Sequence, residues 1–281
     1  VIAVARAVNK MEAGGTAYLV AALAKALREQ QELSQEDLGK KIGYTGSAVS
    51  AMETCAQPAS DQMLVRLEEV LGSGLGVFER AREFIRLDRY PPQFKDFALL
   101  EQRALTLQTY AMVVIHGLFQ TEAYARALIG GGYPPLPMRR VDELVEARLA
   151  RRVLFDRDPP ALIELVLDES TLRRIVGSQE IMREQLLHLA KCAERRNVTL
   201  QVMPMMRGLR GDHAGLHGEI TLLETPDHHH LVYLQPQEES LLISDPAKVT
   251  TYTHRYAKIR AQALGPDESL GLIEQLAGEQ R

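Results

Sequence analysis

Leu33-Ser-Gln-Glu-Asp-Leu-Gly-Lys-Lys-Ile-Gly-Tyr-Thr-Gly-Ser-Ala-Val-Ser-Ala-Met-Glu53 carries two short amphipathic periods on either side of a tight turn. Leu38 and Ile42 repeat at i, i+4, and Val49 and Met52 at i, i+3, so each pair marks one apolar helical face. Ser34 and Asp37 spell a capping box for the first helix, and Thr45 supplies an N-cap hydroxyl for the second. Gly43 suits the left-handed residue that closes a helix. Two helices joined at Gly43-Tyr44-Thr45 predict a helix-turn-helix. In that motif the second helix can enter a major groove while the first crosses the phosphate backbone. Thr45, Ser47 and Ser50 are spaced to point outward while Val49 and Met52 face in, and hydroxyls can bond base edges and phosphates.

Leu19, Leu23 and Leu27 mark a preceding helix. Leu64, Leu67 and Leu71 mark a following one, capped by Ser60 after Pro58. Gly72-Ser-Gly-Leu-Gly76 then breaks the pattern. Residues 17–72 are therefore expected to form an all-α helix-turn-helix domain. Residues 73–95 should be a linker, with a connecting helix at 77–88 stopped by Pro91-Pro92. Residues 1–16 read as an N-terminal arm, with Met11 a candidate natural start.

Beyond residue 95 the texture changes. Runs at 162–167, 198–203, 219–223 and 231–234 are apolar or alternating and bounded by turn signals, as strands are. Helical stretches at about 139–155, 170–176, 179–195, 248–264 and 268–277 surround them. The fold class expected is multi-domain: a helix-turn-helix bundle, then a mixed α/β (α+β) regulatory and dimerisation domain over 96–281.

Composition excludes several classes. With 46% hydrophobic and 25% charged residues the chain is neither disordered nor fibrous. Its apolar runs, such as Tyr110 to Ile115, are too short for a membrane span, so no membrane partner is expected. Cys55 and Cys192 lie far apart with no C-x-x-C unit, which fits a reducing cytoplasm rather than a disulfide or zinc scaffold. A net charge of −4 gives no whole-chain reason to expect nucleic acid, so any such reading rests on the local motif.

That motif resembles the helix-turn-helix of phage repressors and xenobiotic-response-element-type regulators, through Leu33-Ser-Gln-x-x-Leu-Gly39 and Val49-Ser-x-Met-Glu53. The resemblance implies a phosphate contact at Gln35. It places Thr45, Gly46, Ser47, Ser50 and Ala51 facing double-stranded DNA, with Lys40 and Lys41 beside them. It also implies an internal ion pair between Arg28 and Glu53. The sequence departs from the family after the second helix, where Thr54-Cys-Ala-Gln57 replaces basic residues. Residues 17–72 hold five basic against eight acidic side chains. Phosphate neutralisation is then weak per monomer, and dimerisation or Arg6 and Lys10 would have to compensate.

The rest of the chain is similar to a domain of unassigned function that follows this kind of helix-turn-helix in actinobacterial regulators. The resemblance is carried by His116-Gly-Leu-Phe-Gln-Thr-Glu-Ala-Tyr-Ala-Arg126, Leu167-Asp-Glu-Ser-Thr-Leu-Arg-Arg174, Asn197-Val-Thr-Leu-Gln-Val-Met-Pro204 and Ala263-Leu-Gly-Pro-Asp-Glu-Ser269. It implies a small partner protein encoded nearby.

No catalytic residue, metal ligand or cofactor is assigned. His213, His217 and Glu219 lie in a glycine-bearing loop and His228-His-His230 in a turn, where solvated side chains are the commoner outcome. Asp168 and Glu169 read as a helix cap rather than an acid–base pair. Met203, Met205 and Met206 read as core at a strand end. Arg148, Arg151 and Arg152 read as a solvated face paired with Glu143 and Glu146. The function expected is a dimeric DNA-binding transcription regulator responsive to an effector or partner, not an enzyme. The alternative is an interaction module with a vestigial helix-turn-helix that sequesters a small partner protein.

Overall fold

The computed structural model describes residues 15–87, 92–207, 212–237 and 239–279, so Arg6, Lys10 and Met11 lie outside the described residues. The chain divides into two compact units, 1–92 and 93–281.

The first unit is a bundle of α1 (Gly15–Gln30), α2 (Gln35–Ile42), α3 (Gly46–Glu53), α4 (Asp61–Leu71) and α5 (Val77–Leu87). Ser34, Thr45 and Ser60 each accept a hydrogen bond from the backbone N–H three residues on, which fixes where α2, α3 and α4 begin. Leu38, Ile42, Val49, Met52, Leu64, Leu67 and Leu71 meet in one core. The leucine stripe expected on α1 is corrected in part: Leu27 packs against the core, but Leu19 is 68% exposed, and the fully buried positions are Val20, Ala21 and Ala24.

A second correction concerns 77–87. This helix does not merely connect, because Phe78 and Ala81 belong to the bundle core. The Glu68 carboxylate accepts hydrogen bonds from Gly76 N (2.8 Å) and Phe78 N (2.7 Å), capping α5 onto α4. The Gly72–Gly76 break is thus an internal turn of the bundle.

The second unit contains α6 (Pro92–Arg103), β1 (Thr106–Ala111), α7 (Glu122–Gly130), α8 (Met138–Ala150), β2 (Leu162–Asp168), α9 (Glu169–Arg173), α10 (Gln179–Ala193) and β3 (Val198–Met203). It continues through β4 (Ile220–Glu224), β5 (His230–Leu234), β6 (Leu241–Ile243), α11 (Pro246–Gln262) and α12 (Pro266–Glu279). The six strands form one sheet in the order β3-β2-β1-β4-β5-β6. β1, β2 and β3 run parallel, while β4, β5 and β6 add antiparallel steps.

Period-2 alternation sends Leu107, Leu165, Leu200, Leu223 and Tyr233 to one face, with residues of α7, α10 and α12. It sends Tyr110, Val166, Met203, Ile220 and Val232 to the other face, against α11.

Residues 151–155 form a 3-10 helix rather than the end of one long helix. The arginines near it turn inward, against expectation. Arg151 is buried in a bidentate pair with Glu101, both bonds 2.6 Å. Arg148 donates to the Gln120 side chain at 2.9 Å, and Arg152 donates to the Gln120 carbonyl. A backbone acceptor and a buried carboxylate supply stronger partners than an exposed helix face. Met203 is core, whereas Met205 and Met206 are exposed, because the chain leaves the sheet at Pro204.

Two outcomes check this architecture. Phe78→Ala is expected to destabilise the first unit by about 3–5 kcal/mol, read as a lower denaturant midpoint; an unchanged midpoint would return 77–87 to the role of a connector. Arg151→Ala strands the Glu101 carboxylate and should cost the second unit about 3–5 kcal/mol, with the unfolding of the first unit unaltered.

Candidate nucleic-acid interface

The geometry of the helix-turn-helix is set at its turn. Gly43 sits at φ +76°, closes α2 in the left-handed conformation and sends its N–H back to the Gly39 carbonyl. A Cβ on Gly39 would lie 2.9 Å from the Thr45 carbonyl carbon and the Tyr44 oxygen, so only glycine lets the turn fold back this tightly. A Cβ on Gly46 would lie 2.9 Å from Glu36 Cγ, which makes the second close approach. Tyr44 lies between them, with its hydroxyl 3.4 Å from Ser60 Oγ at the start of α4.

α3 is tied to the rest of the bundle by a buried charge. Arg28 Nε donates to Glu53 Oε1 at 2.6 Å and Arg28 Nη2 to Oε2 at 3.1 Å, while Nη1 reaches the Leu33 carbonyl at 2.6 Å. Only 2% of the Glu53 side chain is exposed. Gln35 Nε2 donates to Glu53 Oε2 at 2.8 Å. One carboxylate at the end of α3 is therefore held from α1 and from the first residue of α2. Burial pushes the Glu53 carboxyl up, but the hydrogen bonds from Arg28 and Gln35, with the Arg28 charge, hold it below its usual value. The hydrogen bond to Glu53, with the charges of Glu53 and Glu29, raises Arg28 in turn against the opposing effect of burial.

Thr45 and Ser47 are exposed at the start of α3, with their hydroxyls 2.9 Å apart, and Thr45 Oγ1 also accepts from Ala48 N. Gly46, Ser50 and Ala51 are half-buried behind them, and Lys40 and Lys41 are exposed in the last turn of α2. Gln35 is brought to Glu53, so one donor of its amide is already engaged inside the motif. After α3 the chain turns inward. Thr54 Oγ1 donates to the Ser50 carbonyl at 2.8 Å, and buried Cys55 directs Sγ toward the Ala17 carbonyl at 3.7 Å.

Glu36 was not singled out by sequence reasoning. It stands exposed against Gly46, beside the N-terminus of α3. The signal for it was its place one residue after Gln35, in a turn that the motif brings next to α3.

Residues 25–78 match the family profile described as helix-turn-helix. Residues 94–275 match the profile described as a domain of unknown function, DUF5753. The chain belongs to the DUF5753 family. No curated protein and no solved structure gives a match. The helix-turn-helix ahead of the DUF5753 domain suggests a DNA-binding regulator. Among the described residues no helix is long and apolar enough to cross a membrane.

The remaining candidates lie in the DUF5753 domain. Asp168 caps α9 by accepting from Ser170 N at 3.0 Å and receives the Tyr110 hydroxyl at 3.1 Å. Burial, with the nearby Asp168 and Glu219, pushes the Tyr110 phenol well up. Glu169 pairs with Arg173 at 2.6 Å and accepts from Met205 N at 2.9 Å. Glu219 accepts from Met112 N and Val113 N at 3.0 Å each, and His213 Nδ1 from Gly215 N at 3.0 Å. His228 Nδ1 lies 2.7 Å from Glu224 Oε1. Among the described residues no three His, Cys, Asp or Glu side chains converge as metal ligands would.

Arg28→Ala leaves the Glu53 carboxylate without its charge partner and is expected to cost the first unit about 3–5 kcal/mol, measured by denaturant titration. A carboxyl held low in the folded state stabilises fully above its unfolded value, near pH 4.3. That contribution fades as the pH falls through the lower folded value. Acid titration of the first unit should therefore show a loss below about pH 4.3 that is smaller in Glu53→Gln. Equal acid sensitivity in both proteins would place the critical carboxylate elsewhere.

Proposed function

We propose that this chain is a sequence-specific DNA-binding transcription regulator in which α3 reads the major groove and the DUF5753 domain dimerises and responds to an effector or partner. One observation carries the reading. The turn between α2 and α3 is compressed to contact distance at Gly39 and Gly46, and α3 is fixed by Arg28, Glu53 and Gln35. The hydroxyls of Thr45 and Ser47 remain exposed at its N-terminus. A helix held this rigidly, with polar groups at its leading end, is preorganised for a groove, and preorganisation lowers the entropic cost of binding.

On this reading Thr45, Gly46, Ser47, Ser50 and Ala51 face DNA, Lys40 and Lys41 approach the backbone, and the second donor of Gln35 serves a phosphate. Two-fold pairing of the chain would set recognition helices about one DNA turn apart. The protein would act in the cytoplasm without catalysing a reaction, and a small protein encoded nearby would be one of its partners.

The acidic surroundings favour a second reading, a bundle that binds protein instead of DNA. Glu36 stands beside Gly46, and a basic segment is missing after α3.

Fluorescence anisotropy with duplex from upstream of the protein's own gene separates the two. The regulator reading expects saturable binding that weakens with salt, is lost in Ser47→Glu and tightens in Glu36→Gln as an anionic neighbour of the phosphates is removed. Binding no tighter than to random duplex at low salt, unchanged in both variants, would favour the protein-binding alternative.

A further inference from the structure

In the second unit a cleft of about 480 Å³ opens between the 3-10 helix at 151–155 and the C-terminal end of α10. Cys192 and His188 lie one helical turn apart on α10, with Sγ 3.5 Å from Nε2. Arg152, Lys191 and Arg195 line the cleft with them. Burial pushes the Cys192 thiol up, while the charges of Arg195, Arg152 and Lys191 pull it down. The same three cations add to burial in holding His188 low. Asp156 and Glu194 line the cleft as well. Asp156 is already committed to Arg195, at 2.5 Å.

A helix C-terminus attracts cations by itself, which accounts for Lys191 and Arg195. It does not account for Arg152. That side chain comes from a different element and lines the cleft while giving one donor to the Gln120 carbonyl. Guanidinium groups suit the oxygens of a phosphate, and lysine adds a point charge. The volume falls in the range of small-molecule sites, about 300–1,000 Å³.

We propose that this cleft binds a phosphate-bearing small molecule, held by Arg152, Lys191 and Arg195, and that it is the effector site of the DUF5753 domain. Its role as an effector site rests on the regulator reading. Phosphate binding itself does not, and it is measured without DNA.

The test is isothermal titration calorimetry of the full chain with inorganic phosphate and with glucose 6-phosphate, using glucose as the neutral control. Both phosphates should bind saturably at one site and compete with each other, and glucose should give no signal. Arg152→Gln and Lys191→Gln should each weaken binding by about tenfold, the loss of one charge-assisted hydrogen bond. Lys191 is exposed, so its variant keeps the test open if Arg152→Gln fails to fold. No saturation by either phosphate up to about 10 mM, an affinity weaker than roughly 3 kcal/mol, would overturn the proposal. Undiminished binding in Lys191→Gln would overturn it too. A phosphate of the DNA backbone is the other source of the same chemistry. If the two variants lower the salt slope of duplex binding by about one each, the cleft belongs to DNA and the small-molecule assignment is wrong.

Discussion

A carboxylate taken out of water must be neutralised where it stands, and both units of this chain are organised around that requirement. Glu53 is 2% exposed and is met by Arg28, which lies 25 residues earlier in the chain. Glu101 is 1% exposed and is met by Arg151, 50 residues later. In each case removing one partner costs more than the pair contributes, because an isolated buried charge remains. Such pairs add little net stability, but they penalise every arrangement in which the two elements fail to meet. In the first unit the penalised motion is a drift of α3 away from α1 and α2.

That constraint connects packing to the proposed function. The hydroxyls of Thr45 and Ser47 carry no specificity unless the helix beneath them is fixed, and three residues from three helices fix it. The two glycine contacts do the same for the turn: a methyl at Gly39 would force the backbones apart, and one at Gly46 would press on Glu36. Electrostatics runs the other way. Eight acidic against five basic residues over 17–72 leave little phosphate attraction, so affinity has to come from pairing of chains or from residues outside this stretch. Geometry is supplied generously here and charge sparingly.

The sequence made the helix-turn-helix legible because its signals are local. Ser34, Thr45 and Ser60 cap helices within three residues, and the apolar pairs repeat at helical spacing. The Arg28–Glu53 pair was legible only through resemblance, since nothing local joins residues 25 positions apart. The sheet was legible where apolar residues dominate or alternate between turn signals, as in 162–167 and 198–203. Between 93 and 138 the periodic signals named no element, yet α6, β1 and α7 lie there. β1 hides because the adjacent Gln108 and Thr109 break its alternation; Thr109 is buried 3.3 Å from Thr221 across the sheet, and Gln108 bonds Glu164 at 3.0 Å. β6 hides because it is three residues long on an edge. Arg151 and Arg152 were misread because helical spacing to glutamates suggests a surface, and only the tertiary fold reveals a buried partner.

Hydrogen–deuterium exchange of the full chain, with and without duplex from its own upstream region, tests the central claim most directly. If the lock around Glu53 holds a DNA-reading helix, backbone amides from Thr45 to Ala51 gain protection on duplex addition, together with the start of α2 at Gln35. Arg28→Ala should abolish that gain. Protection that appears elsewhere while 45–51 stays unchanged, or a gain that survives Arg28→Ala, would contradict the account.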